Sequence, residues 1–146
     1  MKMQPFETLL TRLGEPSYAL LRIVLGLLFA FHGMQGLTGY HIPAEFLPKI
    51  GSQGWIGSVI ELVTGLLIAG GLFSRGAAFL ASGTMAVAYV QFHWKFQFGA
   101  EFFPTLNQGE LALIFCLVFF HIATRDPGRL TLGSLFPIKG GQQRRG

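Results

Sequence analysis

The sequence predicts an all-α protein, a four-helix transmembrane bundle with both termini in the cytoplasm. Three observations lead there. Charged residues make up only 12% of the 146-residue chain while apolar ones reach 51%, about half and slightly above the usual soluble shares. The mean hydropathy is +0.49. The basic residues gather at the ends of apolar segments, as the positive-inside rule requires. The formal net charge of +4 raises nucleic acid as a partner. The cations form no stripe with interleaved aromatics, so that class is set aside.

The first apolar segment covers residues 18–37. At helical rise, 20 residues span about 30 Å, the thickness of a hydrocarbon core. The run is too long for a secretory signal, and no Ala-x-Ala-like cleavage site follows it. Before it, residues 1–16 are polar. A brief interfacial helix starting at Thr8 or Thr11 and ending at Pro16 is expected there. Residues 38–54 form a loop with Pro43 and Pro48. The second span, 55–72, opens on Trp55 and closes at the turn Phe73-Ser74-Arg75, which makes a tight hairpin with the third span, 76–93. That third span is rich in Ala, Gly and Ser, suited to close helix packing.

His93 to Asn107 reads HWKFQFGAEFFPTLN. So aromatic a loop belongs in the membrane interface or folded over the mouth of the bundle. The fourth span covers 108–123, and Asp126-Pro127-Gly128 breaks it. Residues 133–146 read as a disordered tail. One domain, 1–146, accounts for the chain. With four spans, Lys2, Arg12, Arg75, Arg125, Arg129, Lys139, Arg144 and Arg145 share one side, against Lys49 and Lys95 on the other. Eight against two places the termini in the cytoplasm.

That topology sorts the intramembrane polar residues. Glu61 lies about 9 Å from the outer end of the second span, six residues at helical rise. Gly57, Glu61, Gly65 and Ala69 recur every four residues, so the acid is expected at a seam between helices. An intramembrane carboxyl is a functional-site hypothesis by default. Glu61, His32 and Glu110 form a candidate proton-handling cluster in the outer half, with Gln35, Tyr89, Gln91 and His93 lining a pocket beside them. Bland readings stand next to these. Glu110 can simply stabilise the start of its helix. His32 can be a hydrogen-bonded structural histidine, and Arg22 can snorkel or form a structural ion pair. His121 lies about 16 Å along the helix from Glu110, so the two do not meet.

No HxxxH, ExxH or Cys/His spacing supports a metal. A haem would take His32 or His121 as an axial ligand, again without a paired spacing. The single cysteine, Cys116, reads as a small packing residue. No phosphate loop or Ser–His–Asp set is present.

Several patches together resemble the DoxX family. They are Arg22-x3-Gly26-x2-Phe29-x2-His32-Gly33-x-Gln35, then Glu61-x3-Gly65, then Gly70-Gly71-Leu72-Phe73-Ser74-Arg75-x-Ala77-Ala78, then Gly109-Glu110-Leu111, and finally Gly128-Arg129-Leu130-Thr131-Leu132. Gly36 stands where members often carry Lys, and Thr131-Leu132-Gly133 where many read Ser-Leu-Asp. The first departure removes a candidate counter-ion for Glu61 or Glu110. The resemblance implies a bacterial inner-membrane protein. It also implies a small subunit of a quinone- or thiol-linked redox complex, or a non-enzymatic scaffold or assembly factor. Quinone is then the cofactor to expect. The partners would be the bilayer, other membrane or redox-complex subunits, and possible further copies of the chain. With no catalytic motif of its own, redox activity would require a partner or a bound quinone. A small transporter using Glu61 as a proton site is the weaker third reading.

Overall fold

The computed structural model describes residues 5–128 and 130–135. The chain is all-α. Helix α1 runs Pro5–Thr38, α2 Gln53–Gly70, α3 Ser74–Ala88, α4 Glu110–Thr124, and a last turn, α5, Leu132–Leu135. A 3-10 turn at Ala44–Phe46 lies in the first loop. A π-helical stretch, Tyr89–Trp94, extends α3, and a 3-10 turn at Ala100–Phe102 follows in the second loop.

Two helical segments are long and apolar enough to cross a membrane, Phe6–Thr38 and Gln53–Gly70, and Glu110–Thr124 is a shorter apolar helix. α1 does not stop at Pro16. A proline keeps a helical φ and costs one backbone bond, that to the carbonyl four residues earlier. Here the Ser17 hydroxyl also donates to the Gly14 carbonyl at 3.0 Å. The expected interfacial helix is therefore the first third of one 34-residue helix.

α2 starts and ends two residues before the expected 55–72. The Ser52 side chain accepts from the Trp55 N–H at the start. At the end Gly71 is left-handed, φ 71°, with Gly71 N–H bonding Ile68 O and Leu72 N–H bonding Leu67 O. This is a Schellman ending, and glycine is the residue that accepts it without strain. α4 starts at Glu110 rather than at 108. Of the expected disordered tail, residues 133–135 belong to α5, and 136–146 lie outside the described residues.

α1 packs on α2, and α3 on α4, with the short turn at Gly71–Phe73 joining the pairs. The α1–α2 seam brings backbones together. A Cβ at Gly26 would lie 2.6 Å from Ala69 N, one at Gly65 2.5 Å from Ala30 N, and one at Gly33 2.5 Å from Ser58 O. Gly57, expected on this seam, meets nothing within 4 Å. The reason is angular: each four-residue step turns 400°, so Gly57 and Ala69 sit about 120° apart round the helix.

Phe29 joins the pairs, its ring 4.7 Å from Phe119 and 5.4 Å from Phe115. Ala78 and Ala81 on α3 are fully buried, and Ser82 donates to the Cys116 carbonyl at 2.8 Å. Cys116 is partly buried against this core.

Arg22 neither snorkels nor forms an ion pair. It is fully buried, and its guanidinium donates to Ile68 O, Ala69 O and Leu130 O. The first two are carbonyls of the last turn of α2, where the helix dipole favours a cation. Outside, Leu20, Leu27, Leu66, Phe79, Leu117 and Phe120 are exposed, while Arg22, Ser58, Glu61, Thr64 and Ser82 are buried. Polar groups inside and large apolar ones outside invert the soluble pattern.

The seam predicts an asymmetry between glycines. Gly33→Ala should cost about 1–3 kcal/mol through overpacking, lowering the melting midpoint in detergent by roughly 5–10 °C. Gly57→Ala should leave it unchanged or raise it slightly, since alanine is the better helix former.

Candidate functional site

His32 lies on α1 beside Gly33. Because Gly33 admits the α2 backbone, the imidazole comes level with Glu61, and Nδ1 lies 2.8 Å from Oε2. Glu61 is buried, its side chain 9% exposed, while the His32 ring is 63% exposed. The carboxylate is thus held in the seam and the imidazole presents its other face outward.

The pair forms part of the wall of a cavity of about 850 Å³, within the range of small-molecule sites. Phe29, Ile60, Met85 and Phe115 are among its apolar lining. Its hydroxyls are satisfied locally: Ser58 donates to Gly54 O and Thr84 to Leu80 O. His93 also lines it. Among the described residues no Lys or Arg does.

Of the residues expected together, His32, Glu61 and His93 share this cavity; the others do not line it. Glu110 is exposed at the first position of α4. Gln35 donates to Tyr40 O at 3.2 Å and serves the first loop. Gln91 accepts from Gln53. Tyr89 stacks on His93, centroids 6.5 Å apart, and its hydroxyl donates to Phe102 O at 3.5 Å.

Of the phenylalanine-rich loop, His93 to Asn107, His93 alone lines the cavity. Lys95 and Phe96 are both left-handed, φ 53° and 55°, and Phe96, Phe98 and Phe102 gather round Trp94. Ile42, Phe46 and Pro48 of the first loop also line the cavity.

Sequence reasoning missed Gln53 and Asn107. Asn107 is buried. It accepts from Gly109 N–H at 2.8 Å and donates to Glu101 O at 2.8 Å. Its own carbonyl takes a bond from His93 Nδ1 at 3.2 Å. An Asn two residues before a glycine at a helix start is a turn-forming pattern, and that was the available signal. A side chain at Gly109 would strike Asn107 Oδ1 and the Tyr89 ring at 2.7 Å.

Among the described residues no group of three His, Cys, Asp or Glu is placed to hold a metal ion. His121 is exposed on the last turn of α4, whereas His32 lies at the cavity. What the arrangement offers is an acid–imidazole pair that can share or pass a proton, set in an apolar chamber.

Apolar outer faces round buried polar groups make this a helical membrane protein. Comparison with known proteins narrows the class: the DoxX family profile matches residues 17–94, just over half the chain. An uncharacterized protein of Haemophilus influenzae is 36% identical over 125 residues, covering 81% of this chain and 89% of the relative. The chain belongs to the DoxX family. No solved structure matches it.

Two substitutions separate the structural residues from the exposed one. Asn107→Ala should cost about 0.5–1.5 kcal/mol, through loss of its bonds to Gly109 N–H and Glu101 O, since the Gly109 N–H keeps the Pro104 carbonyl at 3.0 Å, and should lower the melting midpoint. Glu110→Gln should cost no more than about 1 kcal/mol, the helix-terminus charge effect.

Proposed function

We propose that this protein is a small membrane subunit that holds a quinone-class molecule for a redox partner. The observation that carries the reading is the His32–Glu61 pair in the wall of a chamber otherwise mainly apolar. A neutral ring with polar oxygens suits such a site, and the chain would need a partner to supply or take electrons. In this reading the whole chain, 1–146, is one four-span domain in a bacterial inner membrane. Its α3 plus the π-helical stretch, and α4 with the preceding loop, complete the third and fourth spans. Both termini lie in the cytoplasm. The cations support that side: Arg75 bonds Ala123 O and approaches Asp126 at 3.6 Å, and Arg125 approaches Glu15 at 3.8 Å, at the same end. Lys49 and Lys95 are in the opposite loops.

A second reading, a non-enzymatic assembly scaffold, is favoured by one observation. The Glu61 Cβ packs where Gly33 leaves room, so the pair also fixes the register of α1 on α2.

The two readings part in one variant. Glu61→Gln should weaken binding of a short-chain quinone or its reduced form about tenfold, measured by titration in nanodiscs, with little change in melting midpoint. Unchanged affinity with a lowered midpoint would leave the scaffold reading. Reporter fusions after residue 146 should report from the cytoplasm, and fusions at Lys49 from the opposite side.

A further inference from the structure

This inference rests on the quinone-class reading and concerns which form of the ligand the site prefers. Two imidazoles line the cavity, His32 and His93. Each is already tied through Nδ1. His93 Nδ1 faces the Asn107 carbonyl at 3.2 Å. A carbonyl oxygen only accepts, so Nδ1 carries the proton and Nε2 of the neutral ring carries a lone pair. His32 Nδ1 faces Glu61 Oε2 at 2.8 Å. With the carboxylate ionised and the ring neutral, the same assignment follows.

Both imidazoles therefore offer an acceptor. Of the other polar groups, the Ser58 and Thr84 protons are committed to their own helix and the Gln53 amide donates to Gln91, which leaves Gln108 as the remaining amide in the lining. Among the described residues no Lys or Arg lines the chamber to attract an anionic head group.

We propose that the cavity selects a neutral aromatic diol, the reduced form of a quinone, over the dicarbonyl form, with His93 as a second polar anchor beside the His32–Glu61 pair. One hydroxyl donates to His32 Nε2 and the other to His93 Nε2. The Tyr89 ring stacked on His93 and the Asn107 carbonyl position the second anchor. The quinone, which has only acceptor oxygens, leaves both nitrogens unpartnered, and a site built for a donor rejects an analogue lacking it.

The test compares 1,4-dihydroxynaphthalene with 1,4-dimethoxynaphthalene, which keeps the ring and loses both donors. Titration is anaerobic, on the full chain in nanodiscs. The diol should bind wild type at least about tenfold more tightly. His93→Phe, which keeps a ring to stack on Tyr89, should bring the diol down about tenfold and leave the dimethoxy compound unchanged. Equal affinity of the two ligands for wild type overturns the proposal, and needs no variant to fold. So does a His93→Phe protein that holds the diol as wild type does. If both ligands bind equally and both weaken in Glu61→Gln, the donor preference fails alone. If wild type binds neither, the quinone-class reading fails with it.

Discussion

The contact of α1 with α2 is backbone against backbone, and the other contacts are arranged around it. Gly26, Gly33 and Gly65 have no room for a Cβ, because the facing atoms are main-chain nitrogens and oxygens. Helices in lipid gain nothing from hiding apolar surface from one another, so close approach and polar contacts must hold them. The approach at Gly33 is also what lets His32 reach Glu61. The same glycines that bring the helices together therefore place the only histidine–carboxylate contact among the described residues.

Burying a carboxylate is costly unless it is paired. Glu61 is accommodated by sitting in the seam with its partner directed to the chamber. Arg22 is handled differently, by carbonyls in place of an acid. The two buried charges thus lie at opposite parts of one interface, each answered by its own local arrangement. The second pair of helices uses small residues of another kind. Ala78, Ala81 and Ser82 line α3 where it meets α4, while Phe29 reaches across from α1 to close the centre of the molecule.

Much of this was legible in the residues. Apolar runs located the helices. Glu61 stood out as an acid well inside an apolar helix, with His32 and Glu110 as its candidate partners. What failed were inferences that depend on angle. A four-residue spacing drifts by 40° per step, so Gly57 left the seam. Depth alone grouped Glu110, Gln35 and Gln91 with Glu61, but depth says nothing of which way a helix is turned. Pro16 was read as a stop because proline costs a hydrogen bond, yet a long helix absorbs one such loss. The left-handed pair in the second loop, Lys95 and Phe96, had no signal in the count of its aromatics.

The bond from Arg22 to the Leu130 carbonyl joins positions 108 residues apart. During synthesis, 130 residues must be made before that acceptor exists. Until then Arg22 has only the end of α2 to answer its charge. The closing segment thus acts as a final clasp, and a chain truncated before residue 130 would leave Arg22 without one of its three carbonyl partners.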